Sequence, residues 1–248
     1  MKEIKILTLN IWRYYGNWEE RKKKIVSYIR KENPDIIFLQ ECFDDGRYNF
    51  FGDNQGNQLN LALNYKYLNY SIAEMLRTES KKILKTSVFD GLACLSSRPI
   101  VEVKNFRLKQ AEEDEHFRII QKVVVQNDGL PISFYHVHFS NRDNLARMHL
   151  KETLDLAAKE LLRPIIVGDF NMRMVQDLID IAESAYEISW LEKKYVSYPL
   201  KNETLDYVLL PKGKYRFFNI QCDEDELSDH RPLLAMIKLE NNIREKSN

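Results

Sequence analysis

The sequence predicts an α/β protein in which two mixed sheets pack together and helices flank them. A strand–helix–strand unit opens the chain and recurs in its second half, and short antiparallel strands separate the two units. Because helices cover only one face of each sheet, the remaining faces bury their apolar side chains against each other. At 248 residues the chain is long enough for one large core. We expect a single domain over residues 1–239 and a polar, disordered tail over residues 240–248.

The first unit begins with residues 4–11, a nearly continuous apolar run typical of a strand covered on both faces. Asn17, with Glu20 three positions later, predicts the start of a helix. Pro34 ends that helix, and the following segment DIIFLQE predicts the second strand.

The middle of the chain predicts antiparallel strands. Its segments YLNYSIAEML, GLACLSS and IVEVKNFRL are short and rich in strand-forming residues. RIIQKVVVQ and LPISFYHVHFS are joined through Asn127, Asp128 and Gly129, which predict a hairpin turn. We expect surface loops at residues 44–58 and 111–116, because both segments are polar and lack apolar periodicity.

The second unit repeats the pattern of the first. SFYHVHFS is the strand, and Ser140 with Asp143 predicts a capping box. Leu145, Met148, Leu154, Ala157 and Leu161 form the predicted apolar stripe of the helix. Pro164 ends the helix, and IIVGDFN is the next strand.

Composition excludes several classes of protein. Basic and acidic residues number 37 each, so a polyanion would have to be held by a local patch or by a metal. No segment approaches the roughly 18 apolar residues of a membrane span, and no signal core precedes the first strand, so we expect a cytoplasmic protein. Cys42, Cys94 and Cys222 lack a C-x-x-C spacing, which argues against a disulfide framework or a thiolate zinc site.

Polar side chains recur where the predicted strands end. The positions are Asn10, Glu41, His136, His138, Asp169, Asn171, Asp206, Asp229 and His230. Any one of them alone is more simply a turn former or a hydrogen-bonded structural residue. Their recurrence at strand ends, where α/β sheets bind ligands, indicates a shared site.

The residue types in this set suit phosphate-ester hydrolysis. Carboxylates of Glu41 and Asp229, with Asp169 a further candidate, and the amide oxygen of Asn10 suit a hard cation such as Mg²⁺ or Mn²⁺. Zinc is the weaker candidate, since two histidines lack a third histidine or a cysteine. Such an ion would neutralise charge on a phosphate, and a histidine held by a carboxylate could orient the attacking water.

The ordered series LTLNIW, LQE, HVHFS, GDFN, SYPLKNETLDYVLL and SDHRP resembles the endonuclease/exonuclease/phosphatase superfamily. That group contains DNase I-like nucleases, abasic-site endonucleases, inositol-phosphate phosphatases and neutral sphingomyelinases. The resemblance spans residues 6–234 and implies a four-layered α/β/β/α sandwich, the DNase I-like fold.

The resemblance also implies a role for each residue of the set. It makes Asn10, Glu41 and Asp229 metal-site residues, His138 a phosphate-binding or acid residue, and His136 a structural neighbour. It makes Asp169 the residue that orients or deprotonates water, and Asn171 a phosphate-binding amide. Asp206 becomes a supporting carboxylate, and His230 assists attack or binds phosphate.

The substrate is less constrained than the reaction. Cys42 follows LQE where abasic-site endonucleases usually show a lysine soon after, so a dedicated abasic-site enzyme is disfavoured. One hypothesis is a nuclease or nucleic-acid phosphodiesterase that acts as a monomer and binds backbone phosphates through Arg142 and Arg173, with Arg147 and Lys201 as further candidates. The alternatives are a phosphomonoesterase or a sphingomyelinase-like or phospholipase C-like hydrolase, and a binding scaffold without catalysis.

Overall fold

The computed structural model describes residues 3–50, 52–79, 82–111, 114, 116–222 and 227–240. Within these ranges the chain forms two six-stranded mixed sheets. The first sheet runs in the order β11 (Tyr215–Cys222), β12 (Leu233–Leu239), β1 (Glu3–Asn10), β2 (Ile36–Asp45), β4 (Lys82–Ser96) and β3 (Tyr67–Glu79). The second runs β5 (Ile100–Arg107), β6 (Ile119–Asn127), β7 (Leu130–His138), β8 (Ile165–Asp169), β10 (Asp206–Pro211) and β9 (Tyr186–Ile188).

The two sheets share one pattern of strand directions. β1 and β2 pair in parallel, β7 and β8 pair in parallel, and every other neighbouring pair in the described sheets is antiparallel. Each parallel pair occupies the third and fourth positions of its sheet. The duplication predicted from the two strand–helix–strand units is therefore confirmed.

One helix connects the two strands of each parallel pair, and these and further helices cover the sheets from outside. The bounds are α1 (Trp18–Glu32), α2 (Gln55–Leu63), α3 (Asp143–Ala157), α4 (Val175–Ala182) and the short α5 (Ser189–Glu192). Asn17 caps α1 by accepting a hydrogen bond from the backbone N–H of Glu20 at 3.3 Å, as predicted. No described helix is long and apolar enough to cross a membrane.

Alternation along the strands divides the core into three apolar layers. Leu7 and Leu39 face α1 and α2, whereas Ile6 and Phe38 face the second sheet. Across that central layer the ring of Phe38 lies 5.3 Å from the ring of Phe134. The third layer lies between the second sheet and helices α3 and α4. The predicted four-layered α/β/β/α sandwich is confirmed.

A buried polar network also joins the two sheets. His136 of β7 hydrogen-bonds to Gln40 of β2 at 2.6 Å and to Gln121 of β6 at 2.8 Å. Gln121 in turn donates to Ser71 of β3 at 2.9 Å, and Gln40 donates to Thr8 of β1 at 3.0 Å. Because buried polar groups need partners, these pairings fix how the sheets face each other. His136 is thus a structural residue of the inter-sheet core.

Two local predictions were wrong. Ser140 does not cap α3: the helix begins at Asp143, and the Ser140 hydroxyl accepts instead from the backbone N–H of Arg142. Leu161 is fully exposed, because α3 ends at Ala157, before this residue. The buried face of the helix includes His149 and Leu150 instead. A histidine on the buried face is not recognised by an apolar-periodicity argument.

The predicted loop at residues 44–58 is confirmed in its middle, over residues 46–50 and 52–54, but both of its ends belong to regular secondary structure. β2 continues to Asp45 and α2 begins at Gln55, with Asn54 as its cap. Gln55 accepts from the backbone N–H of Phe43 at 2.9 Å, so polar side chains anchor this helix to β2. Because α2 is held partly by amides, its sequence resembles a loop. Residues 112, 113 and 115 of the other predicted loop, and the tail 241–248, lie outside the described residues.

Candidate active site

The polar residues predicted at strand ends meet above the two parallel pairs. Asn10 comes from the end of β1 and Glu41 from the middle of β2, and His138 and Asp169 come from the ends of β7 and β8. Asp206 starts β10, which pairs with β8 so that Asp206 lies opposite Asp169. The turn before β12 adds Asp229 and His230. These residues converge because the parallel pairs of the two sheets pack against each other.

Asp169 is the centre of the hydrogen-bonded group. Its Oδ2 accepts from the side-chain amide of Asn10 at 3.0 Å, and its Oδ1 accepts from the backbone N–H of Asn171 at 2.9 Å. The same carboxylate lies 3.5 Å from Nε2 of His138 and 3.9 Å from Nε2 of His230. Burial raises the pKa of Asp169 to about 7, against the opposing effect of His230. A carboxyl with such a pKa can accept a proton from water near neutral pH.

Asp206 and His230 form a buried ion pair. Oδ2 of Asp206 lies 2.8 Å from Nδ1 of His230, and both side chains are almost fully buried. Burial alone would lower the pKa of His230, but the charges of Asp206 and Asp169 raise it to about 10. The imidazolium is therefore the form present at neutral pH. Its Nε2 proton is available to an anion, because the carboxylate holds the opposite nitrogen.

His138 is held by a cation instead. A guanidinium nitrogen of Arg118 lies 2.9 Å from Nδ1 of His138, and both residues are buried. Since arginine only donates, Nδ1 accepts and the ring proton of the neutral imidazole is on Nε2, the atom that faces Asp169. Burial and the positive charge of Arg118 hold the pKa of His138 well below its usual value. His138 is thus built as a neutral hydrogen-bond donor, which disfavours the acid role among its predicted alternatives.

Arg118 was missed by the sequence reasoning. It directly precedes β6, and the hairpin of β6 with β7 pairs Ile120 with Val137, so residue 118 lies beside the end of β7. The Asn-Asp-Gly turn was recognised from the sequence, and counting backwards from it along the two strands would have placed Arg118 next to His138. Arg118 and His138 line a small cavity that Asp90 also lines. Burial raises the pKa of Asp90 to about 6.

Glu41 is positioned by a break in the sheet. The pairing of β2 with β4 shifts register between Leu39 and Cys42, and Glu41 has a left-handed backbone with φ of 52°. A bulge of this kind re-aims a side chain that would otherwise follow the strand. The carboxylate keeps 18% exposure and lies 3.3 Å from Nε of Arg13. Glu41 is therefore accessible, in contrast to Asp169.

The residues predicted to hold a metal have suitable chemistry. Asp229 has a pKa raised by burial and by the negative charge of Glu41, so two carboxylates repel each other here. A divalent cation would relieve that repulsion. Asn10 Oδ1 accepts one hydrogen bond, from the backbone N–H of Trp12 at 3.0 Å, and retains a second lone pair. Glu41 and Asp229 offer partly exposed carboxylates and Asn10 offers a buried amide oxygen. Oxygen donors of this kind fit Mg²⁺ or Mn²⁺, which keep several water ligands.

A second group of side chains could also hold a cation. Asp169, Asp206 and His230 have ligand atoms within 4.8 Å of one another, and all three residues are buried. Both oxygens of Asp169 and one of Asp206 already take part in hydrogen bonds. Oδ1 of Asp206 is buried and has no hydrogen-bond partner among the described residues. The mixed nitrogen and oxygen set suits a hydrated Mg²⁺ less well than Glu41 and Asp229 do.

The GDFN segment has a steric explanation. Gly168 has φ of 140°, and a Cβ at this position would lie 2.0 Å from the carbonyl oxygen of Val137 in the neighbouring strand. Glycine thus allows β8 to approach β7 closely just before Asp169. Asn171 has a left-handed backbone with φ of 51°, and its amide donates to the carbonyl of Phe139 at 3.1 Å. The tight turn returns the Asn171 N–H to the Asp169 carboxylate.

The predicted substrate-binding arginines lie at the rim. Arg173 donates to the carbonyl of Asn141 at 2.7 Å and pairs with Asp143 at 2.8 Å, so its guanidinium is already held. Arg142 is exposed at the start of α3. Arg147 pairs with Asp177 on α4, which places it away from the carboxylates of the centre. Substrate binding by Arg142 and Arg173 remains a prediction.

Comparison with known proteins agrees with the fold. Residues 7–230 match the model of the endonuclease/exonuclease/phosphatase family. An uncharacterized protein, L388, of Acanthamoeba polyphaga mimivirus is 27% identical over 188 residues, which cover 68% of this chain and 67% of the viral protein.

Solved structures have the same architecture at low identity. An endonuclease/exonuclease/phosphatase family protein from Leptotrichia buccalis superposes with a TM-score of 0.74 at 17% identity, covering 96% of this chain and 99% of the other. The human Nocturnin catalytic domain with a bound sulfate anion gives 0.71 at 19% identity, covering 96% and 95%. The family match extends over most of the sequence and includes every strand end that carries the site. The chain belongs to the endonuclease/exonuclease/phosphatase family, whose members are hydrolases that act on phosphoester bonds.

Proposed function

We propose that this protein is a Mg²⁺-dependent phosphodiesterase that cleaves nucleic acid by attack of water on phosphorus. The observation that carries the proposal is the buried Asp206–His230 pair beside Asp169. Oδ2 of Asp206 lies 2.8 Å from Nδ1 of His230, and Oδ2 of Asp169 lies 3.9 Å from Nε2 of His230. An imidazolium and a carboxyl of neutral pKa lie close together, and phosphoester hydrolysis requires a proton acceptor and a positive group near the phosphate.

Each side chain of the centre has a task in this reaction. Asp169 accepts a proton from the attacking water, and the Asn10 amide and Asn171 N–H fix the direction of its carboxylate. His230, held by Asp206, donates a hydrogen bond from Nε2 to a phosphoryl oxygen. The bond from phosphorus to the leaving oxygen breaks as the bond to water forms, and the leaving oxygen takes a proton from solvent. His138 donates from Nε2 as a neutral group, because Arg118 binds its other nitrogen. These donors stabilise the negative charge that develops on the phosphoryl oxygens.

Asn10, Glu41 and Asp229 would hold the metal. When bound, Mg²⁺ supplies positive charge that neutralises the substrate phosphate and lowers the barrier to attack. Arg13 lies 3.3 Å from the Glu41 carboxylate and compensates part of its charge. The cation would be reached from solvent, since Glu41 is partly exposed while Asp169 is 1% exposed.

The test compares Mg²⁺ with EDTA on supercoiled plasmid, single-stranded DNA, RNA and a panel of phosphomonoesters. We expect Mg²⁺-dependent cleavage of a polynucleotide that is abolished in His230→Ala. Asp177→Asn, which changes a half-exposed carboxylate on α4 away from the centre, is the matched control and should keep activity. Both variants are checked by thermal unfolding, so that a folding defect is distinguished from a catalytic one.

Three results would contradict the proposal. Phosphate release from monoesters with polynucleotides intact would favour the phosphomonoesterase hypothesis. Cleavage of a choline phospholipid headgroup with polynucleotides intact would favour the sphingomyelinase-like or phospholipase C-like hypothesis. Activity of His230→Ala equal to that of the wild type would exclude the assigned centre.

A further inference from the structure

The segment that follows β1, residues 11–16, turns sharply away from the strand. Trp12 and Arg13 have consecutive left-handed backbones, with φ of 57° and 48°, and Gly16 has φ of 64°. A left-handed backbone is unfavourable for bulky side chains such as those of Trp12 and Arg13, and it persists only where the surrounding structure holds it. A group outside the turn must therefore stabilise it.

Arg21 of α1 is that group. Its guanidinium donates to the backbone carbonyls of Ile11 at 2.6 Å, Arg13 at 2.9 Å and Tyr15 at 2.7 Å. The side chain is buried, and within the described part of the chain no carboxylate forms an ion pair with it. Because arginine presents its N–H groups in a rigid fork, one side chain can hold several carbonyls at once. Arg21 thus determines the path of residues 11–15.

This turn fixes two of the residues proposed to hold the cation. The backbone N–H of Trp12 donates to Oδ1 of Asn10 at 3.0 Å, so the turn sets the direction of that amide. The next residue, Arg13, places its Nε 3.3 Å from the Glu41 carboxylate. Among the described residues, Arg21 forms no hydrogen bond or ion pair with either proposed ligand. Arg21 can therefore orient them only through the turn.

The charge of Arg21 and its hold on the turn predict opposite effects on a bound cation. Burial lowers the pKa of Arg21, and the negative charges of Asp229 and Glu41 oppose that shift, so the guanidinium interacts electrostatically with both carboxylates. A positive group at this range repels a divalent cation, so its removal would strengthen binding if charge were its only effect. Loss of the turn would weaken binding instead, because the ligands would no longer be oriented.

We propose that Arg21 is a positioning residue of the cation site, because it holds the left-handed turn that orients Asn10 and the partner of Glu41. The proposal rests on the proposed function, since it takes Asn10, Glu41 and Asp229 as ligands of the cation. Groups that orient metal ligands typically contribute about tenfold to a hundredfold to metal affinity. Arg21 contributes to cation affinity on this scale although it is not itself a ligand.

The test is binding of Mn²⁺ to the full-length protein without substrate, followed by the electron paramagnetic resonance signal of the free ion. Arg21→Met removes the donors, and Arg21→Lys keeps the charge without the fork of N–H groups. Arg30→Met is the matched control: Arg30 lies in the last turn of the same helix, and its guanidinium donates to the backbone carbonyl of Ala62 at 2.7 Å. Thermal unfolding verifies that each variant is folded.

We expect the dissociation constant for Mn²⁺ to rise by about tenfold or more in both Arg21 variants and to stay unchanged in the control. An unchanged constant in Arg21→Met would overturn the proposal, because it would mean that Arg21 contributes to stability alone. A lower constant would overturn it as well, because it would mean that Arg21 acts through its charge. Wild-type binding in Arg21→Lys would show that the fork is not needed and would also overturn the proposal.

A milder substitution tests the same turn if Arg21→Met does not fold. Gly16→Ala adds a Cβ at φ of 64°, 3.3 Å from the Trp12 ring and 3.9 Å from Nε of Arg21. Gly213→Ala is its control, because φ is 72° there and nothing lies within 4 Å of the added Cβ. We expect the dissociation constant for Mn²⁺ to rise in Gly16→Ala alone. Equal constants in these two variants would overturn the proposal.

Failure of this proposal can be separated from failure of the proposed function. Glu41→Gln is measured in the same Mn²⁺ assay. Weaker binding in Glu41→Gln together with wild-type binding in Arg21→Met would keep the cation site and reject the role of Arg21. Absence of Mn²⁺ binding by the wild type would reject the proposed metal dependence and, with it, the role of Arg21.

Discussion

The parallel pair β1/β2 and the parallel pair β7/β8 have the same topology but end in different chemistry. The first pair carries Asn10 at the end of β1 and Glu41 within β2, where a bulge turns Glu41 to a partly exposed position. The second ends in His138 and Asp169, both buried and linked to further side chains by hydrogen bonds. Under the proposed function the first pair would contribute to the site of a hydrated cation, whereas in the second pair Asp169 would accept a proton and His138 would donate a hydrogen bond. The topology determines where the residues meet, and local breaks in the strands determine what they can do.

The largest expected effect is a loss of activity when the buried carboxylate of Asp169 is replaced. Asp169→Asn keeps the size of the side chain but removes its ability to accept a proton, so activity should fall on the order of 10³-fold or more. Steady-state cleavage of the preferred substrate measures this. A fall of only a few-fold would mean that Asp169 orients water without accepting its proton.

The second effect concerns the close approach of β7 and β8. Gly168→Ala would place a methyl group against the Val137 carbonyl, at a backbone conformation that alanine avoids. We expect the free energy of unfolding to fall by about 2–4 kcal/mol. Gly129→Ala is the control, because its φ of 84° is also unfavourable but nothing lies within 4 Å of the added Cβ. Urea unfolding that shows equal losses at both positions would contradict the steric argument.

A third effect concerns the network that joins the two sheets. Burial lowers the pKa of His136 to about 3, whereas the unfolded chain binds a proton near pH 6.5. Between these values the unfolded state binds more protons, so this histidine makes the protein less stable as pH falls, by up to about 1.4 kcal/mol per pH unit. In His136→Gln this contribution should disappear, and the loss of stability on acidification should be shallower than in the wild type. Parallel curves of unfolding free energy against pH would show that His136 does not contribute.

Much of this architecture could be predicted from the sequence. Both parallel pairs follow from apolar runs bounded by Asn17, Pro34 and Pro164. The β6–β7 hairpin follows from its Asn-Asp-Gly turn, and the position of Asp169 follows from the end of a buried strand. These features depend on local sequence alone, which explains why they could be recognised.

The missed features depend on contacts between distant segments. Arg118 acquires its role only because the hairpin places it beside His138, 20 residues away. Helix α2 is anchored by a hydrogen bond from the backbone of Phe43 to Gln55, and its apolar positions Leu59, Ala62 and Leu63 are too few for a periodicity argument.

The central claim is that Glu41 holds the cation and that the buried group of Asp169, Asp206 and His230 does not. The most direct test of this claim is a Mg²⁺ titration of activity in two variants. In Glu41→Gln we expect the Mg²⁺ concentration for half-maximal activity to rise by about tenfold or more, because an oxygen ligand loses its charge. In Asp206→Asn we expect a lower kcat with an unchanged Mg²⁺ requirement. A shift of the Mg²⁺ requirement in Asp206→Asn, with none in Glu41→Gln, would contradict the account and assign the cation to the buried Asp169, Asp206 and His230 group.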